Sequence, residues 1–510
     1  MTKTASFLDL NLIRLDRRKS TPLTQQLYES LLLAIQSGQL SAGFRLPSTR
    51  ELALQLSVSR TTVINAFEQL VAEGYLASVV GQGTHVSLRL PEESLMARIQ
   101  RGDQATTRDR AKESKPSELQ GKTAVTSLSA FGQSLDEIDI NNLSFSQDLK
   151  PFRAGVPALD EFPIDVWSRI VRNCWRTVNR QDLSYGDAVG WKPLRHAIAS
   201  YLRGFRGVRC TDEQVMIVNG TQQAFDIINR LVLAEGDQVL FESPGYSRAK
   251  LAFQVAGAPL VYVPVDKHGL DISKAGAASS AAKLVYVTPS HQEPMGVTMP
   301  IERRMQLIEW ANQNRAWIVE DDYDSEFRYA HRPIPALQGL DTGNRTIYVG
   351  SFSKVVFPSL GMGYVVVPQT LLDGFQKALA LVGRPPAKID QIVLTEFMEE
   401  GHFARHLRRM RTVHESRRSA LVDMLNEHLS HALQIVGADA GLHCTAILND
   451  RWNDKSIAVQ AAERGIVLRP LSAFLESDQP SEFRNGLIFG FACSTPSQIR
   501  GAIRKLLPIF

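Results

Sequence analysis

Between residues 20 and 90 the apolar positions recur at helical spacing. Leu27, Leu31 and Ile35 fall four apart, with Leu32 and Ala34 beside them, so residues 22–37 predict a helix with one apolar face. Gly38 stops it. Ser48 and Glu51 form the S-x-x-E pattern of a capping box, which starts a second helix just after Ser48. Ser59 caps a third helix and Gly74 ends it, with Val63, Phe67, Leu70 and Val71 along its apolar face. YLASVVGQGTHVSL then reads as a β-hairpin with a Gly81-Gln82-Gly83 tip. Residues 91–145 lose this patterning. They are rich in Ser, Thr, Gln, Lys and Glu and poor in aromatics, so they read as a flexible polar linker, with room for a short helix over Glu92–Gln100. Across residues 146–510 apolar strand-like runs alternate with helical segments, as in an α/β domain. The expected domains are therefore 1–90, 91–145 and 146–510.

Length agrees with this division, because 510 residues exceed what one core usually serves. An apolar content of 44% and a charged content of 22% are ordinary for a globular protein, and a net charge of +4 names no partner. Its distribution says more. Residues 1–90 hold nine Lys/Arg against six Asp/Glu, so +3 of the +4 sits on the first zone. That excess points weakly to nucleic acid or membrane, and chance alone also produces one so small. Cys174, Cys210, Cys444 and Cys493 lie far apart with no C-x-x-C spacing, which suits buried thiols in a reducing compartment. The N-terminal MTKTASFLDLNLIRLDRR lacks the apolar core of a signal peptide, and no apolar run reaches the roughly 20 residues of a membrane span. A cytoplasmic protein is expected, with no metal site.

Two short helices joined by the Leu56–Ser59 turn, the second opening Ser-Arg-Thr-Thr, suit DNA. Arg60 can reach guanine or phosphate, and Thr61 and Thr62 offer short hydroxyls. Arg45 and Arg50 fall on the lead-in loop and the preceding helix, better placed for backbone contacts. Ser48 and Ser59 belong to the same surface, and Gly81 and Gly83 allow a wing to approach sugar-phosphate closely. A partner-binding three-helix module with solvated arginines would explain any one of these residues alone. The continuous run from Pro22 to Val86 resembles the winged helix-turn-helix domain of GntR-type transcription regulators, with Gln82 in place of the small Ser common at the wing tip.

Three segments of the second half carry chemistry. In EQVMIVNGTQQAF a β run, Val215–Val218, leads through Gly220, Thr221 and Gln222 into a helical pattern, a turn suited to phosphate. In RAWIVEDDYDSEF an apolar strand, Trp317–Val319, ends in Glu320, Asp321, Asp322 and Tyr323. Carboxylates at the C-terminal end of such a strand sit where α/β sheets bind ligands, and one could hold a pyridine nitrogen protonated. In TIYVGSFSKVVF a strand delivers Ser351, Ser353 and Lys354, whose amine can form a Schiff base. Taken singly, the three are better read as a common strand-helix turn, an acidic loop or metal site, and a surface lysine.

In this order they resemble the fold-type-I aminotransferases, over roughly residues 150–510. The resemblance implies an α/β domain with a mostly parallel central sheet and pyridoxal 5'-phosphate as cofactor. It makes Lys354 the Schiff-base lysine, Asp321 the pyridine-nitrogen partner with Asp322 as fallback, Tyr323 the phenol near the ring oxygen and Tyr246 the stacking ring. Gly220, Thr221, Gln222, Ser351 and Ser353 would complete the cofactor site, and Arg248 would serve the ligand. Three positions depart from the pattern. Glu293 stands where catalytic members carry Asn, Gly361 where a phosphate-binding Arg is usual, and Ile488 where the substrate-carboxylate Arg is expected. Arg469 is the candidate replacement for the last, with a surface arginine an equal reading.

The fusion resembles the MocR subfamily of bacterial regulators. It implies a cytoplasmic, PLP-dependent transcription regulator, nucleoid-associated when on its double-stranded operator. A small amine or amino acid, or PLP itself, would act through an aldimine at Lys354 in a head-to-tail homodimer. The alternative is an active aminotransferase with an accessory DNA-binding head. A regulator with a vestigial, empty body is a third reading, prompted by Gly361.

Overall fold

The computed structural model describes residues 13, 15–17, 19, 21–79, 83–88, 132, 135, 149–329, 334–475, 483 and 485–510. Gly81, Gln82, the expected Glu92–Gln100 helix and nearly all of the 91–145 stretch lie outside the described residues. The chain divides into two compact units, Met1–Ala124 and Val125–Phe510.

The first unit holds α1 (Leu23–Gln36), α2 (Thr49–Leu56), α3 (Arg60–Ala72) and an antiparallel hairpin of β1 (Leu76–Val79) and β2 (Gly83–Val86). Leu27, Leu31 and Ile35 of α1 bury against Leu52, Val63, Phe67 and Leu70, with Leu76 and Val86 closing the core. Val71 departs from the expected apolar face and is 38% exposed. It lies one 100° step past Leu70, beyond the stripe that Val63, Phe67 and Leu70 share. The capping box forms by half: Ser48 accepts the Glu51 N–H at 3.2 Å, but no return bond from the Glu51 side chain joins it.

The second unit is built on an eight-stranded sheet in the order β3-β10-β9-β8-β7-β4-β5-β6. The strands are β3 (Val215–Val218), β4 (Val239–Ser243), β5 (Leu260–Asp266), β6 (Gly269–Leu270), β7 (Leu284–Val287), β8 (Trp317–Asp322), β9 (Thr346–Ser351) and β10 (Gly363–Val366). Neighbours from β9 through β5 run parallel, while β10 opposes β3 and β9 and β6 opposes β5. β3, β4 and β7 are buried along their whole length, and β3 and β7 are apolar throughout. Helices Lys192–Phe205, Lys388–Glu399 and His402–Leu429 contribute to one apolar cluster; Gly220–Val232 and Ser247–Val255 contribute to another. A separate antiparallel sheet, β11-β12-β14-β13, comprises Leu433–Val436, His443–Leu448, Gly486–Gly490 and Arg469–Pro470 in that order. No helix among the described residues is long and apolar enough to cross a membrane.

A candidate nucleic-acid interface and a candidate cofactor site

In the first unit the cap geometry sets the start of α3. The Ser59 hydroxyl accepts the Thr62 N–H at 3.1 Å and lies 2.8 Å from the Thr62 hydroxyl. Arg60 and Thr61 are exposed on that first turn, and Arg45 and Arg50 are exposed near it in sequence. Arg60 Nε reaches the Thr49 hydroxyl at 3.4 Å, which ties α3 to the start of α2. Arg45 bridges to His85 on β2, and its guanidinium lies so close to Gly83 that a Cβ there would meet Nε at 3.2 Å. Arg45, Gly83, Ser48 and Arg50 therefore gather around the α2 start and the wing. Ser48, Ser59 and Thr62 are engaged in caps and are not free hydroxyls.

In the second unit β3, β8 and β9 point the same way, so their C-terminal ends share one edge of the sheet. Beyond β3, Gly220 takes φ +76° and opens the helix Gly220–Val232 with no side-chain cap. The first N–H groups there remain available to an anion. Gly363 must be small, since a Cβ would lie 3.2 Å from the Gly220 backbone. Gly361 sits in the left-handed region at φ +61° with open space beside it, so no side chain supplies a cation from this position.

β8 continues past Val319 and carries Glu320, Asp321 and Asp322 within the strand, all buried. Each has its own partners. Glu320 accepts the Leu337 and Gln338 N–H groups at 2.8 Å each. Asp321 Oδ2 accepts the Tyr286 hydroxyl at 2.6 Å, while Oδ1 is buried with no partner. Burial pushes the Asp321 carboxyl up to about 7, Tyr286 working against that rise. Asp322, the fallback for the pyridine contact, is engaged elsewhere: its Oδ2 takes Arg206 Nε at 2.8 Å and the Tyr348 hydroxyl at 2.6 Å.

Past β9, Ser353 donates its N–H to the Ser351 hydroxyl at 3.1 Å. Lys354 Nζ donates to the Gly155 carbonyl at 2.6 Å. Burial holds the Lys354 amine below its usual value; Glu293, Asp324 and Asp321 oppose this. Tyr246 is pushed up to about 12 by burial, with Asp321, Arg248, Glu293 and Arg469 all acting on it. One electrostatic neighbourhood thus contains Tyr246, Arg248, Glu293, Asp321, Lys354 and Arg469. Arg469 is half-buried, its guanidinium 4.3 Å from the Phe474 ring centre, and it lies directly across from Ile488 in the small sheet. It is not a solvated surface arginine.

Several contributors escaped the sequence reading. Tyr286 hides in a fully apolar strand, and Gly155 meets Lys354 from 199 residues away. His291 Nδ1 lies 3.0 Å from Asp324 Oδ2 and 3.1 Å from the Tyr323 hydroxyl, and its ring centre is 4.7 Å from that of His443. For His291 and Asp324 the signal was the polar density of TPSHQEP and DDYDSEF; Gly155, Tyr286 and His443 fall outside both segments.

Comparison with known proteins agrees with both halves. Residues 23–86 match the family of bacterial regulatory proteins of the GntR type, and residues 139–506 match the class I and II aminotransferases. The chain is 38% identical over 496 residues to a probable rhizopine catabolism regulatory protein, MocR, of Rhizobium meliloti, covering 97% of this chain and 95% of that one. It is 30% identical to the pyridoxine biosynthesis regulator PdxR of Corynebacterium glutamicum, with 97% of each chain covered. Among solved structures, a kynurenine aminotransferase of Pyrococcus horikoshii, in complex with PMP, superposes with TM-score 0.66 at 25% identity over 76% of this chain and 96% of that one. The α-aminoadipate aminotransferase LysN of Thermus thermophilus, holding a phosphopyridoxyl-leucine adduct, gives TM-score 0.66 at 26% identity, with 74% and 96% covered. A winged helix with an exposed cationic α3 start, followed by a fold-type-I domain of the pyridoxal-phosphate class, places this chain in the MocR-like branch of the GntR-type DNA-binding transcription regulators.

Proposed function

We propose that this regulator senses a small primary amine or amino acid through pyridoxal phosphate held at Lys354. The observation that carries the reading is the pairing of a half-buried lysine amine with an orphaned buried carboxylate oxygen, in a chain whose other unit is a winged helix. The cofactor fits these residues. Asp321 Oδ1 lacks the donor that a protonated pyridine nitrogen would supply. The uncapped Gly220 helix start, with Thr221, Gln222, Ser351 and Ser353, offers N–H and hydroxyl donors to a phosphate. Tyr246 would lie against the ring, and Tyr323 would face its hydroxyl oxygen. When bound, the cofactor supplies an aldehyde that exchanges reversibly between primary amines.

The chain's own residues then define the ligand. Arg248 and Arg469 would take a carboxylate, if the ligand has one. The body would exist in two conformations that the ligand binds unequally, because a ligand with equal affinity for both shifts nothing. A head-to-tail homodimer would carry the difference to the two winged helices. Pyridoxal phosphate itself is a second effector compatible with the same site.

Efficient transamination is the weaker reading. The fold likeness to aminotransferases favours it, but Glu293 and Ile488 replace an amide and a guanidinium that the enzymes' pattern supplies. The test uses full-length protein loaded with pyridoxal phosphate. Wild type should give a cofactor band that shifts on adding the right amine, together with a changed operator footprint. Borohydride should trap the cofactor on Lys354 and nowhere in Lys354→Ala. An amine-responsive band in Lys354→Ala would refute the lysine's role. Stoichiometric conversion to the pyridoxamine form, followed by turnover with a keto acid, would establish the enzyme instead.

A further inference from the structure

A carboxylate can serve a pyridine nitrogen only if the oxygen facing it is unoccupied and held in place. The last torsion of an aspartate is broad and roughly two-fold, so burial alone does not fix which oxygen points where. In Asp321 the two oxygens are unlike. Oδ2 accepts the Tyr286 hydroxyl at 2.6 Å, and Oδ1 is buried without a partner. The contact runs diagonally across two parallel strands. Tyr286 on β7 stands opposite Val319 on β8, and Asp321, two residues farther on, shares Val319's face.

The Tyr286 ring has no room to swing. It is fully buried. Phe241, its register partner on β4, stacks on it with ring centres 4.9 Å apart and planes 7° apart. Phe225, on the helix Gly220–Val232, meets it edge-on at 5.6 Å, and Phe253, on the helix Ser247–Val255, at 6.0 Å. Packing against three rings, rather than the polar site, fixes where the hydroxyl lies. Burial and Asp321 hold the Tyr286 phenol well above its usual value, so it keeps its proton and donates.

We propose that Tyr286 is a positioning residue for the cofactor: its hydroxyl occupies Asp321 Oδ2, fixes the plane of the carboxyl and leaves Oδ1 as the acceptor for the pyridine nitrogen. The same bond stabilises the ionised carboxylate, the form that holds that nitrogen protonated. Other groups also bear on Asp321. Asp322 and Tyr323 follow it in the chain, Glu242 comes from β4, Tyr246 from the N-cap of the helix Ser247–Val255, Glu293 from the loop after β7 and Lys354 from beyond β9. Among the described residues, Tyr286 alone is hydrogen-bonded to its carboxyl. Phenylalanine there would keep the packing and give up only the bond, leaving both oxygens buried and unpartnered. The inference rests on Asp321 being the pyridine partner.

The test combines Tyr286→Phe and Asp321→Asn, singly and together, in the full-length protein. Equilibrium titration with pyridoxal phosphate should show Tyr286→Phe binding about tenfold more weakly than wild type, as the loss of a bond to a charged group predicts. With Asp321→Asn already in place, adding Tyr286→Phe should change the affinity by about twofold at most. A merely structural role would weaken both backgrounds alike. Infrared titration of the cofactor-free protein gives a second readout. The protonated-carboxyl band that Asp321→Asn removes should titrate at about pH 7 in wild type and higher in Tyr286→Phe, where the ionised form has lost its donor. Unchanged affinity or an unchanged carboxyl titration in Tyr286→Phe, or an equal loss in both backgrounds, would overturn the proposal alone. Unchanged affinity in Asp321→Asn would overturn the pyridine reading as well.

Discussion

Asp321 and Asp322 are neighbours on β8 yet answer to different partners, because successive side chains leave opposite faces of a strand. Asp322 is committed to a buried ion pair. Burial disfavours the charge on Arg206, but Asp322, Tyr348, Glu320 and Glu326 together outweigh it and hold the guanidinium above its usual value. Breaking such a pair leaves an uncompensated buried charge, so Asp322→Asn should lower the stability of the cofactor-free protein by about 3–5 kcal/mol. Asp321 has no countercharge at hydrogen-bond distance. With its folded pKa raised to about 7, the unfolded chain releases this proton first as pH rises, so wild type loses stability between about pH 4 and pH 7. Asp321→Asn should remove that loss while weakening cofactor binding roughly tenfold or more, as expected for a lost charge-assisted hydrogen bond. Denaturant melts at pH 5 and pH 8, with equilibrium titration of pyridoxal phosphate, separate the two carboxylates. Equal effects of both substitutions on cofactor affinity would show that the pyridine contact is shared.

At the scale of elements, α3 shows what a cap does and what a contact does. Ser59 satisfies the Thr62 N–H, so Ser59→Ala should destabilise the winged helix by about 1 kcal/mol, read as a lower melting temperature. Arg60 is exposed and bonds only distantly to Thr49. Arg60→Ala should leave the melting temperature within error and weaken operator binding, by gel shift or anisotropy. A fall in stability equal to that of Ser59→Ala would recast Arg60 as a brace between α2 and α3. These elements were legible because their signals are local: cap, apolar stripe and terminal glycine all fall within one or two turns. β3, the start of β8 and the middle of β9 were legible for a similar reason, as buried strands declare themselves by short apolar runs. The start of β8 was readable and its end was not, since acidic residues normally close a strand. Here Glu320, Asp321 and Asp322 extend it, each with a partner inside the protein: backbone N–H groups, Tyr286 and Arg206 respectively. The four-stranded antiparallel sheet left no comparable trace, as β13 is only two residues long.

Across the whole molecule, the charge that seemed featureless in total is placed where it can act. Nearly all of the net excess lies in residues 1–90, and the body is close to neutral. The site's third-dimensional partners could not be read from order along the chain: Gly155 reaches Lys354, and His443 reaches the Glu293 loop, only once the fold is closed. Motif order revealed which chemistry to look for, and folding revealed which neighbours tune it. The same scale governs DNA binding. One head with a small positive excess releases few counterions, so its hold on a duplex should be weak and salt-sensitive. If the body joins two heads, the second binding event becomes intramolecular and gains an effective concentration that a lone site lacks. Full-length protein should therefore bind an operator with two half-sites far more tightly than the same duplex with one half-site scrambled, by more than about tenfold at fixed salt. Raising salt from roughly 50 to 200 mM should weaken the intact operator more steeply than the half-operator, since twice as many phosphates are neutralised. Equal affinities and equal salt slopes for the two duplexes would mean that a single head does all the binding, and joining two heads would then have no part in operator recognition.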